Sequence, residues 1–121
     1  MDVRNIDEVS AFTTKDGSEI RELLAHRNSC IRNQSLAEAR LRPGGATTPH
    51  FHARTEEIYY VLEGRGTMHL GEDRRVVLPG DAIAIPPGSL HQIVNTSDSV
   101  LRFLCCCAPA YEHEDTVLAE P

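Results

Sequence analysis

From Pro43 onward the chain is cut by turn chemistry at short intervals: Pro43-Gly44-Gly45, Gly64-Arg65-Gly66, Gly71-Glu72-Asp73, Pro79-Gly80-Asp81, Pro86-Pro87-Gly88 and Asn95-Thr96-Ser97-Asp98. Glycine permits positive φ, and proline fixes φ while removing a donor, so such clusters end regular structure. Between them lie short segments: Leu36 to Leu41, Glu57 to Glu63, Thr67 to Leu70, Arg75 to Leu78, Ala82 to Ile85, His91 to Asn95 and Val100 to Cys107. Several are rich in β-formers, such as Ile58, Tyr59, Tyr60 and Val61, and no long helical period runs through them. This pattern predicts an all-β antiparallel sandwich or barrel.

The 121 residues suffice for one domain and are too few for two. Residues 1–33 read as a lead-in, with a turn at Thr14-Lys15-Asp16-Gly17-Ser18 and a short strand or helical turn at Glu19 to Leu24. Residues 34–108 carry the β-segments. Residues 109–121 read as an acidic tail, with Glu112-His113-Glu114-Asp115 solvated. A net charge of −6 argues against nucleic acid or an anionic membrane as partner, since phosphate contacts need clustered Lys and Arg. Met1 to Asn5 lack the features of a signal peptide, and the expectation is a cytoplasmic protein. Of the four cysteines, Cys105, Cys106 and Cys107 are consecutive, which suits reduced thiols better than a disulfide framework.

The chemistry concentrates in two segments. One runs Gly44-x5-His50-x-His52-x4-Glu57-x6-Gly64, the other Gly80-x5-Pro86-x-Gly88-x2-His91-x3-Asn95. Three imidazoles and a carboxylate are the donor set of a mononuclear transition-metal site. On a strand, His50 and His52 share a face. At ~3.3 Å per residue Glu57 would lie roughly 16 Å beyond His52 if the strand continued, so the chain must fold back between them. The expectation is that the Glu57 strand runs beside the His50 strand and that His91 arrives from a third. Glu56 competes with Glu57, and because the two point to opposite faces only one can reach the ion.

Both segments resemble the two signature motifs of the cupin superfamily, over about residues 34 to 108. The resemblance implies an antiparallel jelly-roll β-barrel (a double-stranded β-helix) around one divalent ion held by His50, His52, Glu57 and His91. Mn, Fe, Co, Ni, Cu and Zn all suit that set. It also implies a homodimer, with N-terminal residues pairing with the partner's sheet. Tyr59 shares strand parity with Glu57 and is a candidate to stand near the ion. Cys106 is the candidate thiol there, against the plainer reading that all three cysteines pack as small hydrophobes. Arg40 and Arg42 are candidates for holding an anionic substrate, against the reading that their face is solvated. His26, His69 and His113 read as surface residues.

Three functions fit: a dioxygenase-type enzyme on a small oxygenated substrate, a metal-dependent sugar or keto-acid isomerase, epimerase or lyase, and a non-enzymatic module binding metal or a small ligand. A phosphosugar isomerase should place Arg40 or Arg42 inside the cavity. A proton-transfer enzyme needs a further titratable group within reach of the substrate.

Overall fold

A computed structural model describes residues 1–119. Among these residues eleven strands form in chain order: β1 (Phe12–Thr13), β2 (Glu19–Leu24), β3 (Ser35–Leu41), β4 (His50–His52), β5 (Glu56–Glu63), β6 (Gly66–Leu70), β7 (Asp73–Val77), β8 (Ala82–Ile85), β9 (His91–Val94), β10 (Leu101–Ala108) and β11 (Thr116–Leu118). They make two antiparallel sheets, one in the order β1-β2-β3-β10-β5-β8 and the other β11-β4-β9-β6-β7. The turn pattern predicts such an antiparallel sandwich, and the resemblance implies its jelly-roll form, built here as two facing sheets.

Alternation along the strands fills the space between the sheets. In β5, Glu57, Tyr59 and Val61 are buried while Glu56, Ile58 and Tyr60 are exposed. In β10, Leu101, Phe103, Cys105 and Cys107 point inward. Leu101, Phe103 and Cys105 meet Ala39 and Leu41 of β3, Met68 of β6, Ile85 of β8 and Ile93 of β9 in one core. Gly64, at φ +85°, turns β5 into β6, and a Cβ there would lie 2.4 Å from the Val100 carbonyl oxygen. Only glycine permits both that φ and that approach.

The N-terminal end of the chain takes the first of its two expected forms, and the C-terminal end departs from expectation. Glu19–Leu24 is a strand, and β1 and β2 extend the sheet of their own chain beyond β3. The tail is not a solvated appendage. Ala110, Asp115 and Thr116 are buried, and β11 pairs with β4 in the register Thr116↔His52. Asp115 accepts hydrogen bonds from the backbone N–H groups of Arg54 (3.0 Å) and Thr55 (3.0 Å), capping the reversal between His52 and Glu57. Burial opposes its ionisation, but those donors hold the Asp115 carboxyl below its ordinary value. An acidic sequence reads as solvated only until its carboxylate meets unpaired backbone donors.

Candidate metal centre

Neighbouring strands and the facing sheet together deliver the site. His50 and His52 lie on the inner face of β4, and His91 on β9 is the register partner of His50. Their donor nitrogens lie within 4.8 Å of one another, and all three residues are buried. Glu57 does not come from a strand beside β4, as the folding-back argument expected. β5 sits between β10 and β8 in the other sheet, and Glu57 reaches across the gap. In a sandwich a side chain opposite serves as well as one alongside. Glu57 is buried and Glu56 exposed.

Each imidazole is tied from behind. His50 Nδ1 lies 2.7 Å from the Thr48 carbonyl, and His91 Nδ1 lies 2.9 Å from that of Ser89. A carbonyl can only accept, so each Nδ1 carries the proton. His52 Nδ1 lies 3.1 Å from Thr116 Oγ1, whose own proton goes to the Glu112 carbonyl at 3.2 Å, so here too the nitrogen donates. The three Nε2 atoms are thereby left with lone pairs aimed inward, the arrangement of metal-ligating histidines.

The acceptors converge with nothing to accept from. Glu57 Oε1 lies 3.2 Å from His52 Nε2 and 3.7 Å from His91 Nε2. Glu57 Oε1 and His91 Nε2 are buried without hydrogen-bond partners. An ion pair here would need a second proton on an imidazole. Burial, reinforced by His91, pushes His50 the other way, below the ordinary imidazole value. Burial also opposes ionisation of Glu57, but donation from His52 and His91, which needs that second proton on the rings, outweighs it and holds the carboxyl down at about 2. Ionised carboxylate and lone pairs facing one another are what a cation relieves, so the donor set fits a transition-metal ion.

A cavity opens beside this cluster. One wall is apolar, from Phe12, Ile20, Ala37, Ala39 and Phe103. Tyr59 lines it as its parity predicted, with its ring 4.7 Å from Phe103 and 6.0 Å from His91 between centroids. Burial, then the charge of Glu57, raises the Tyr59 phenol well above its ordinary range, keeping it protonated.

Cys106 does not stand beside the site. It is half-buried on the outer face of β10, where its neighbours Cys105 and Cys107 take the inner positions. The Cys107 thiol donates to Glu57 Oε2 at 3.2 Å, and burial with that carboxylate raises its pKa. The strand itself was legible, but its parity was not, because three identical residues carry no alternation.

Arg40 and Arg42 lie outside the cavity. Arg40 binds buried Glu38 at 2.6 Å on the outer face of β3, where Arg102 of β10 joins at 2.7 Å, and Arg42 is exposed beyond the strand. His26 pairs with Glu112 near the surface at 2.6 Å.

Sequence reasoning missed Asp16. The turn it belongs to carries its carboxylate to the cavity, where Oδ2 lies 3.4 Å from His50 Nε2. A Thr-x-Asp-Gly-Ser turn is a weak signal alone, and only the three-dimensional path of β1 and β2 reveals its target.

A family model described as a cupin domain matches residues 37–107. An uncharacterized protein of Methanocaldococcus jannaschii is 47% identical over 94% of this chain and 91% of its own length. An oxalate-binding protein of Thermotoga maritima is 31% identical over 71% of each chain. The solved structure of the polyketide cyclase RemF from Streptomyces resistomycificus superposes with a TM-score of 0.82, at 28% identity, over all of this chain and 87% of the cyclase.

Proposed function

The chain belongs to the cupin family, and on that premise we propose that it is a metal-dependent enzyme acting on a small, uncharged, oxygenated organic substrate. His50, His52, His91 and Glu57 are the proposed holders of one divalent ion. The observation that carries the reading is the charge of the cavity. Among the described residues that line it there is no Lys or Arg, while Asp16, Glu22 and Glu57 are all carboxylates. Glu22 is answered at the mouth by Arg27 at 3.1 Å. Two inner carboxylates offset one divalent cation, so a phosphorylated or carboxylated substrate would add charge that no side chain there balances.

When bound, such an ion supplies Lewis acidity to a carbonyl, enol or phenol oxygen. The chain's own residues do the rest. Phe12, Ile20, Tyr59 and Phe103 receive a carbon skeleton and keep water from it. The Nδ1 ties of the imidazoles hold their Nε2 atoms in place, and Cys107 fixes the rotamer of Glu57. The similarity to a polyketide cyclase along the whole chain supports chemistry on a ketone or enol.

Oxalate is the competing ligand, favoured by the Thermotoga relative. The dioxygenase reading uses the same centre and differs by oxygen uptake. Metal analysis of protein from its native host, followed by a panel of enols, phenols, phosphosugars and oxalate with and without oxygen, separates these. Turnover of uncharged enols or phenols is expected. Activity confined to phosphosugars or oxalate would sink the proposal.

We also propose a homodimer. Ile58, Tyr60 and Leu62 are 48%, 40% and 37% exposed in a row along the outer face of β5, an apolar stripe suited to a second copy. Light scattering on wild type and Tyr60→Glu tests this, with a shift from dimer to monomer expected.

A further inference from the structure

The Asp16 carboxylate is a built feature rather than a passing surface charge. Its Oδ1 accepts from Thr14 Oγ1 (2.6 Å), Ser18 Oγ (2.7 Å) and Ser18 N (2.9 Å). Three donors on one oxygen lock the side chain and direct Oδ2 toward His50. The turn is anchored in its backbone as well. The Thr48 N–H donates to the Asp16 carbonyl at 2.7 Å, while the Thr48 carbonyl accepts from His50 Nδ1. Thr48 thus fixes Asp16 and His50 relative to each other. Lys15 donates to the Thr116 carbonyl at 2.8 Å, tying the same turn to β11.

Glu57 lies against His52 and His91, and Asp16 lies against His50. The imidazole cluster is flanked by a carboxylate on either side. Oδ2 and the His50 Nε2 lone pair face each other as two acceptors, so a group bound between them and the cavity must bring a donor.

We propose that Asp16 is the substrate-selecting residue of the centre, its Oδ2 accepting a hydrogen bond from a hydroxyl group bound beside His50, so that the site takes a neutral alcohol, enol or phenol and turns away carboxylates. This rests on the proposed metal centre and names the chemistry its substrate must carry.

The test uses full-length protein loaded with Co(II), whose visible spectrum reports ligands independently of turnover. Catechol is the neutral hydroxyl probe and oxalate the anionic one. Wild type is expected to take one Co(II) per chain and to bind catechol more tightly than oxalate. Asp16→Asn keeps an oxygen for Thr14 and Ser18 but presents an amide to the cavity. It is expected to retain Co(II), to weaken catechol by about tenfold or more, and to tighten oxalate by a comparable factor, the scale of one hydrogen bond to a charged group. Circular dichroism checks its fold.

Unchanged affinities for both probes in a folded, Co(II)-loaded variant overturn the proposal. So does loss of Co(II) by that variant, which would make Asp16 a ligand instead. Tighter binding of oxalate than catechol by wild type overturns it without any variant. Wild type that binds no Co(II) removes the metal centre itself, a failure visible before either probe is added.

Discussion

Glu57 and Asp16 are the two carboxylates beside the imidazoles, and they are held by opposite means. Glu57 stands near the start of β5, held between two strands, in register with Cys107 on one side and Ile85 on the other. One of its oxygens takes the Cys107 thiol and the other has no hydrogen-bond partner. Asp16 stands on the turn between β1 and β2, at the edge of its sheet, with one oxygen saturated by its own turn. A carboxylate built into a sheet cannot move without the sheet, which suits a resident ligand. One built into a turn can be retuned without disturbing the core, which suits a group that chooses what binds.

The contrast is sharpest in metal affinity. Glu57→Ala and His91→Ala should each weaken it on the order of 100-fold or more, beyond what outer partners are worth. Calorimetric titration with Zn(II) measures this, and an equal loss in Asp16→Asn would erase the distinction. Next in size are the groups behind each carboxylate's neighbours. Thr116→Val removes the acceptor of His52 Nδ1 and should cost about 10- to 100-fold in metal affinity, whereas Ser18→Ala should leave that affinity alone and shift only the catechol-to-oxalate ratio.

Acid should act on the metal-free protein in two stages. His50 has its folded pKa below the ordinary 6.5, so below that pH the unfolded chain takes up a proton that the fold refuses. Glu57 is depressed from 4.5 to about 2, so the unfolded chain again gains the proton first across that interval. Both groups contribute stability above their unfolded pKa, and it falls with pH in both windows. Urea titrations between pH 7 and 3 should show midpoints declining throughout. Saturating Zn(II) should raise the midpoint at pH 7 and lose that effect in acid, because protons compete for imidazole.

The smallest effects separate the two faces of β10. Cys107→Ala removes the donor to Glu57 and leaves a small void, costing ~1–2 kcal/mol in thermal or urea unfolding. Cys106→Ser, on the outer face, should stay within about 0.5 kcal/mol.

The imidazoles were legible in the sequence because their roles are local: strand period puts His50 and His52 on one face, and turn residues frame His91. Glu57 was legible as a residue but not in its placement, since chain reversal arithmetic does not say whether the next strand lies alongside or opposite. The outward turn of Arg40 depended on Glu38, a buried acid whose partners, Arg40 and Arg102, come from two strands. Asp16, Asp115 and Thr116 stayed hidden because their targets lie 34, 60 and 64 positions away, at His50, Thr55 and His52. No local pattern encodes such pairings.

β4 is three residues long, and it borrows its rigidity from β9 on one side and β11 on the other. β11 is the edge strand of its sheet, paired on one side alone, and edges open far more often than central strands. When β11 frays, His52 loses the hydroxyl that orients it and β4 loses one of its two edges. The opening rate of β11 should therefore set the lifetime of a bound ion, with slow metal exchange and slow amide exchange at Val117 and Leu118 the same clock read twice.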